Sequence, residues 1–218
     1  MFATSGAMWV RSDHAIWLTP PTRAIWLPAG VRHSIVVRGE VSLRTLYIAR
    51  DRAIGLPGVP TVVEVVPLLR ELILRIVKVG MLARDTPTHA RMASFLLDLL
   101  LEAEPQDLIL PLPCDARALR LADRIRSDPA DPTGLGQLAV ASGASLRTLQ
   151  RTFTAETGLT LELWRQKARL LHAVIGLSNR ESVTNVSMDC GYRSVGAFIA
   201  AFQRHFGITP GRYSASSA

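Results

Sequence analysis

Four polar side chains within five residues, Arg147, Thr148, Gln150 and Arg151, carry the most specific chemistry in this chain. An arginine guanidinium presents paired donors that match the N7 and O6 edge of guanine, and a glutamine amide matches N6 and N7 of adenine. The stretch opens at Ser145 and contains an apolar pair, Leu149 and Phe153. Apolar residues four apart mark the buried stripe of a helix. With the serine as position zero, places +2, +3, +5 and +6 face outward, and the four polar side chains fall there. The unit Ser145, Leu149, Phe153, Gly158, Thr160 recurs 49 residues later as Ser194, Phe198, Phe202, Gly207, Thr209. A fixed offset marks one supersecondary unit used twice.

The second copy keeps the buried places and changes the outward ones. Gly196, Ala197, Ile199 and Ala200 stand where the first copy is polar, and none has a side-chain hydrogen bond to offer. Ala197 or Ile199 suits a thymine methyl, while Arg193, Ser194, Gln203 and Arg204 nearby suit phosphate or a flanking base. The two copies therefore read as unequal, a base-reading first half and a backbone-gripping second half. A solvated basic helix face is the competing reading of Arg147 and Arg151.

The elements that must hold these residues are short. Leu135–Ser142 and Val183–Cys190 read as helices, each followed by a glycine, Gly143 or Gly191, suited to a left-handed bend. Helix, glycine turn and serine-started helix together make a helix-turn-helix. A long helix over 161–177 joins the two units, and Trp164 on it reads as core packing. With a first helix at 115–127, everything from Asp115 reads as helical. Ahead of it, 8–50 reads as antiparallel strands at Ala15–Leu18, Ala24–Leu27, Ser34–Val37 and Leu43–Ile48, broken by Pro/Gly turns. Helices follow from about Val62 to Val79, with Leu68, Leu69, Leu72, Ile73, Ile76 and Val77 on one stripe, and from Pro87 to Glu102, with Met92, Phe95, Leu96, Leu99 and Leu100. The class is α+β, divided as a β module over 1–55, a helical segment over 56–104 that packs on it or pairs two subunits, a proline-rich linker over 105–114, and a helical domain over 115–218.

Composition supports a polyanionic partner. The 218 residues carry a formal net charge of +7 with a pI near 10.4, and +5 of that charge lies from Cys114 onward. Two distant cysteines, Cys114 and Cys190, fit neither a disulfide framework nor a metal-ligand spacing, so a reducing cytoplasm is expected. No signal peptide is legible. The apolar stretches at 62–82 and 93–101 are interrupted by charge or too short to span a bilayer, so no membrane partner is expected.

Residues 115–218 resemble the tandem helix-turn-helix DNA-binding domain of the AraC/XylS family of bacterial transcription regulators. The likeness is strongest over Gly191-Tyr-Arg-Ser-Val-Gly-Ala-Phe-Ile-Ala-Ala-Phe-Gln-Arg-His-Phe-Gly-Ile-Thr-Pro-Gly-Arg-Tyr213. It implies double-stranded DNA as partner, first-helix contacts at Arg147, Gln150 and Arg151, entry of the two helices into adjacent major grooves, and RNA polymerase as a further partner. Ala200 departs from the arginine many members carry, and Leu161 from a proline. Residues 20–34 resemble later strands of the cupin-like sensor domain of such regulators. The earlier His-x-His strand pair has no counterpart, so the expectation is either that the start at Met1 lies too far downstream or that the regulator is truncated with impaired effector sensing, and His33 reads as structural or vestigial. No metal, cofactor or enzymatic activity is expected. The alternatives are a cupin-type metal-dependent enzyme with an accessory helical domain, and a protein-interaction module whose 62–102 helices bind a partner or a second copy.

Overall fold

The computed structural model describes residues 1–37 and 39–216, and the chain divides into two compact units. The first comprises 1–10 and 17–108, the second 11–16 and 109–218. The β module and the helical segment that the sequence reading separates thus lie in one unit.

In the first unit, β1 (Phe2–Ala3), β4 (Arg23–Trp26), β6 (Leu43–Arg44) and β7 (Thr61–Glu64) form a sheet ordered β6-β1-β4-β7. Its ladders are antiparallel, and the register sets Phe2 opposite Ala24 and Ala24 opposite Val63. Side chains in one row share a face. That row packs with Val65, with Leu69, Ile73 and Ile76 of α1 (Pro67–Val79), and with Leu96 of α2 (Pro87–Glu102). A second sheet takes β5 (Ser34–Val37), β2 (Met8–Arg11) and β3 (Ala15–Thr19) in that order.

The helix expected from Val62 starts later. Thr61–Glu64 is strand, because Val62 and Val63 pair with Ile25 and Ala24, and Pro67 then opens α1 at the position where a missing N–H costs nothing. The strand expected over Leu43–Ile48 ends at Arg44, and Leu46 packs instead against the core. Leu68 and Phe95, placed on the buried stripes by periodicity, are 55% and 44% exposed.

The second unit is helical around one strand. Residues 105–114, expected as linker, contain β8 (Ile109–Pro111), with Leu110 and Leu112 buried; Leu112 N donates to His14 O of the same unit at 2.8 Å. Proline there suits an edge strand. The helices are α3 (Ala116–Ser127), α4 (Leu135–Ala141), α5 (Leu146–Thr157), α6 (Leu161–Ser178), α7 (Val183–Asp189), α8 (Val195–Phe206) and α9 (Pro210–Ser216). The last lies beyond the second repeat helix; residues 217 and 218 lie outside the described residues. α6 is the scaffold. It buries Leu161, Trp164, Ala168, Leu170, Leu171, Ala173, Val174 and Leu177, and packs against α3, α5, α7 and α9. No helix among the described residues is long and apolar enough to cross a membrane.

Candidate nucleic-acid interface

Each recognition helix is started by its serine. Ser145 Oγ accepts from Thr148 N at 3.2 Å and Ser194 Oγ from Ala197 N at 3.2 Å, satisfying one of the donors that every helix N-terminus leaves open. Leu149 and Phe153 of α5 and Phe198 and Phe202 of α8 are fully buried, as the spacing predicts. Phe153 meets Trp164 edge-to-face at 5.3 Å, and the Trp164 indole donates to Pro111 O at 2.6 Å. Phe198 and Phe202 stack edge-to-face at 5.7 Å, with Tyr192 and Tyr213 on either side. Glu156, in the last turn of α5, accepts from the backbone N–H of Cys114 and Asp115, which ties the helix to the start of α3.

The turns differ by one residue. Gly143 and Gly191 are both left-handed, at φ +85° and +71°. They lie 48 residues apart, whereas the capping serines lie 49 apart. Ala144 N bonds back to Ala139 O and Tyr192 N to Ser187 O, so these pairs correspond, and Arg193 is the extra residue of the second turn. Gly191 is also crowded: a Cβ there would sit 2.8 Å from Arg169 Nη2 and 3.0 Å from Ala130 Cα.

Much of the basic charge of this unit is spent internally. Arg117 pairs with Asp115, which caps α3 and whose carboxyl is held well below the usual range by the Arg117 side chain and the N–H groups of Ala118 and Arg117. Arg124 and Arg126 pair with Asp131 and Asp123. Arg120 donates to Ser142 O, Arg165 to Asp131 O and Arg169 to Pro129 O, so these three hold backbone carbonyls. Six arginines of this unit remain exposed with no side-chain hydrogen bond or ion pair among the described residues: Arg147, Arg151, Arg180, Arg193, Arg204 and Arg212. All lie in or beside the helix-turn-helix units.

The residues singled out from sequence divide into three groups. Arg147 and Arg151 on α5, Arg193 before α8, and Gln203 and Arg204 on α8 are exposed and unpaired, and Ala197 is exposed. Ser194 is an N-cap whose O–H can still donate outward. Thr148 and Gln150 are half-buried and engaged: Thr148 Oγ1 shares a hydrogen bond with Ser145 Oγ at 2.9 Å, and Gln150 Nε2 donates to Glu162 Oε1 at 2.8 Å. Sequence reasoning passed over Arg180, Arg212 and Glu162. The arginines lie outside the serine-started helices that drew attention, and Glu162 meets Gln150 only once α6 is packed against α5. Away from these helices, His33 Nδ1 lies 2.9 Å from the backbone oxygen of Val31, and no group of three or more His, Cys, Asp or Glu able to hold a metal lies among the described residues.

Residues 138–216 match the family model of a helix-turn-helix domain. The transcriptional regulator NimR of Escherichia coli K12 is 34% identical over 215 residues, which cover 99% of this chain and 78% of NimR. The transcriptional regulator RipA of Corynebacterium glutamicum is 36% identical over 104 residues, 48% of this chain and 31% of RipA. Among solved structures, an AraC-type transcriptional regulator from Chromobacterium violaceum is 24% identical with a TM-score of 0.45, over 47% of this chain and 92% of that one. The relatives are named as regulators of transcription, which leaves the metal-dependent enzyme reading without support. The chain belongs to the AraC-type family of helix-turn-helix transcriptional regulators, proteins that bind double-stranded DNA to control transcription.

Proposed function

We propose that the two helix-turn-helix units divide the work of binding. In this reading α5 reads base edges in a major groove through Arg147, Gln150 and Arg151, while the second unit grips backbone through Arg193 and Arg204, helped by Ser194 and Gln203, with Ala197 against a thymine methyl. Arg180 and Arg212 add phosphate contacts. Thr148 holds the α5 cap in position. The observation that carries the reading is the set of six unpaired arginines beside two capped helices, in a unit whose other arginines hold its own loops together.

The test compares alanine variants on a bound site and on random duplex. Arg147→Ala and Arg151→Ala should each cost about 1–3 kcal/mol on the site and little on random DNA. Arg193→Ala and Arg204→Ala should weaken both DNAs alike, each flattening the salt slope by about one. Equal losses on both DNAs for all four variants would remove the division of labour.

We further infer a homodimer through the first unit's helices, where Leu68, Phe95 and Leu101 are exposed at 55%, 44% and 50%. Such a regulator would act in the cytoplasm. Sedimentation of the full chain should give a dimer that Phe95→Glu with Leu101→Glu converts to monomer; a wild-type monomer at micromolar concentration would remove this part.

A further inference from the structure

We propose that the first unit carries a binding site for a small organic anion, a carboxylate on an apolar body, between α1, α2 and the chain that follows β6. The inference is independent of the roles given to the two helix-turn-helix units. A cavity of about 540 Å³ lies there, within the range of roughly 300–1,000 Å³ typical of small-ligand sites. Residues 45–49 and Arg52 form one wall, the loop between α1 and α2 a second, and α2 a third. None of the lining residues lies in a strand, so the site is distinct from the strands that resemble a sensor barrel. The α2 wall explains the space. Ala90, Ala93, Ser94 and Leu97 line it at three- and four-residue steps, so they share one helix face, and three of the four side chains are too small to fill it. The loop is fixed in place. His89 Nδ1 of α2 accepts from Ala83 N at 3.1 Å, and Arg84 Nη2 donates to Asp51 Oδ2 at 3.1 Å.

Two features of the lining set the chemistry of the ligand. Most of it is apolar, and two of its large side chains, Tyr47 and Met81, are 95% and 91% exposed. Covering such surface with an apolar body is favourable. The lining also holds two arginines, Arg52 and Arg84, and no aspartate or glutamate. Arg84 is engaged with Asp51. Arg52 is exposed, with no side-chain hydrogen bond or ion pair among the described residues. Its guanidinium offers the paired donors that match a carboxylate. A cation would meet two like charges, and a neutral body would leave Arg52 without a partner. An apolar body ending in one carboxylate suits both features.

The experiment is calorimetric titration of the full-length chain with decanoate and with 1-naphthaleneacetate, each compared with its neutral amide. At least one carboxylate should bind with a dissociation constant below about 1 mM. It should bind at least about fivefold more tightly than its amide, a charge-assisted hydrogen bond discounted for exposure to water. Arg52→Gln, at an exposed position, should abolish that preference and leave amide binding unchanged. Ala93→Phe fills the cavity from the α2 wall and should weaken acid and amide alike by about tenfold or more, through lost apolar burial; a cooperative melt shows that this variant is folded, and Arg52→Gln decides alone if it is not. No binding of either carboxylate at about 1 mM, equal affinity for acid and amide, or a preference that survives Arg52→Gln would each overturn the inference. So would binding that a folded Ala93→Phe chain retains in full, because the ligand would then sit elsewhere. An affinity that falls as the protein concentration rises would overturn it as well, giving the cavity to a second copy of the chain.

Discussion

Arg147 and Arg165 are the same residue type on two helices of one unit, yet their surroundings divide them. Arg165 is partly buried and donates to Asp131 O, and burial lowers its pKa; Arg147 is exposed and holds nothing. Charge alone does not separate an arginine that binds its own backbone from one that meets a partner, whereas hydrogen-bond bookkeeping does. The cysteines divide in the same way. Burial first, then Asp189, pushes the Cys190 thiol up to about 12 from 9.0, whereas Cys114 is exposed. The thiolate is the reactive form, so at pH 8 one thiol of the native chain should be alkylated quickly and the second only on unfolding. The folded-state value lies above the unfolded one, so the contribution of neutral Cys190 to stability is complete below about pH 9 and lost as pH rises toward 12. Two equally fast thiols at pH 8 would contradict the packing around α7.

At the scale of elements, the second turn is where stability is most exposed to a single change. Gly191 has φ +71°, and a Cβ would press on Arg169, on Ala130 Cα and on Pro129 O. Both backbone conformation and space favour glycine there, so Gly191→Ala should cost about 1–3 kcal/mol in chemical denaturation. Gly143 has similar backbone geometry and a looser surround, its virtual Cβ lying 3.4 Å from Arg120 Nη2 and meeting no backbone atom so closely. Gly143→Ala should cost less, and equal losses would contradict the account of the crowded turn. Every helix of this unit up to α8 was legible in the sequence, because Ser145, Thr160, Ser182 and Ser194 start helices whose apolar residues keep one period. The strand at 61–64 was not. Val62 and Val63 continue smoothly into the apolar run of α1, and nothing local distinguishes strand from helix until Ala24 and Ile25 arrive to pair with them. The strand inside the expected 105–114 linker was hidden for a related reason: Leu108, Leu110 and Leu112 alternate as a strand does, but the surrounding prolines dominate a local reading.

Across the whole molecule, a net charge of +7 points toward a polyanion but not toward a surface. Within the second unit, subtracting the arginines that bind carboxylates and carbonyls leaves six, all around the helix-turn-helix units, and the candidate interface is built on that remainder. The outward facing of Arg147 and Arg151 was legible from spacing alone. The engagement of Gln150 by Glu162 was not, since the two residues are twelve apart on different helices and meet only through packing. If four of the six arginines meet phosphate, log Kobs should fall with log salt with a slope of about −3 to −4. The central claim is that duplicated architecture carries unequal readout, and the direct measurement is the sequence motif that the wild-type chain selects from random duplex. The account predicts one strongly specified block and, about one helical turn away, a second block of low information content. Two blocks of equal strength, or no motif at all, would contradict it.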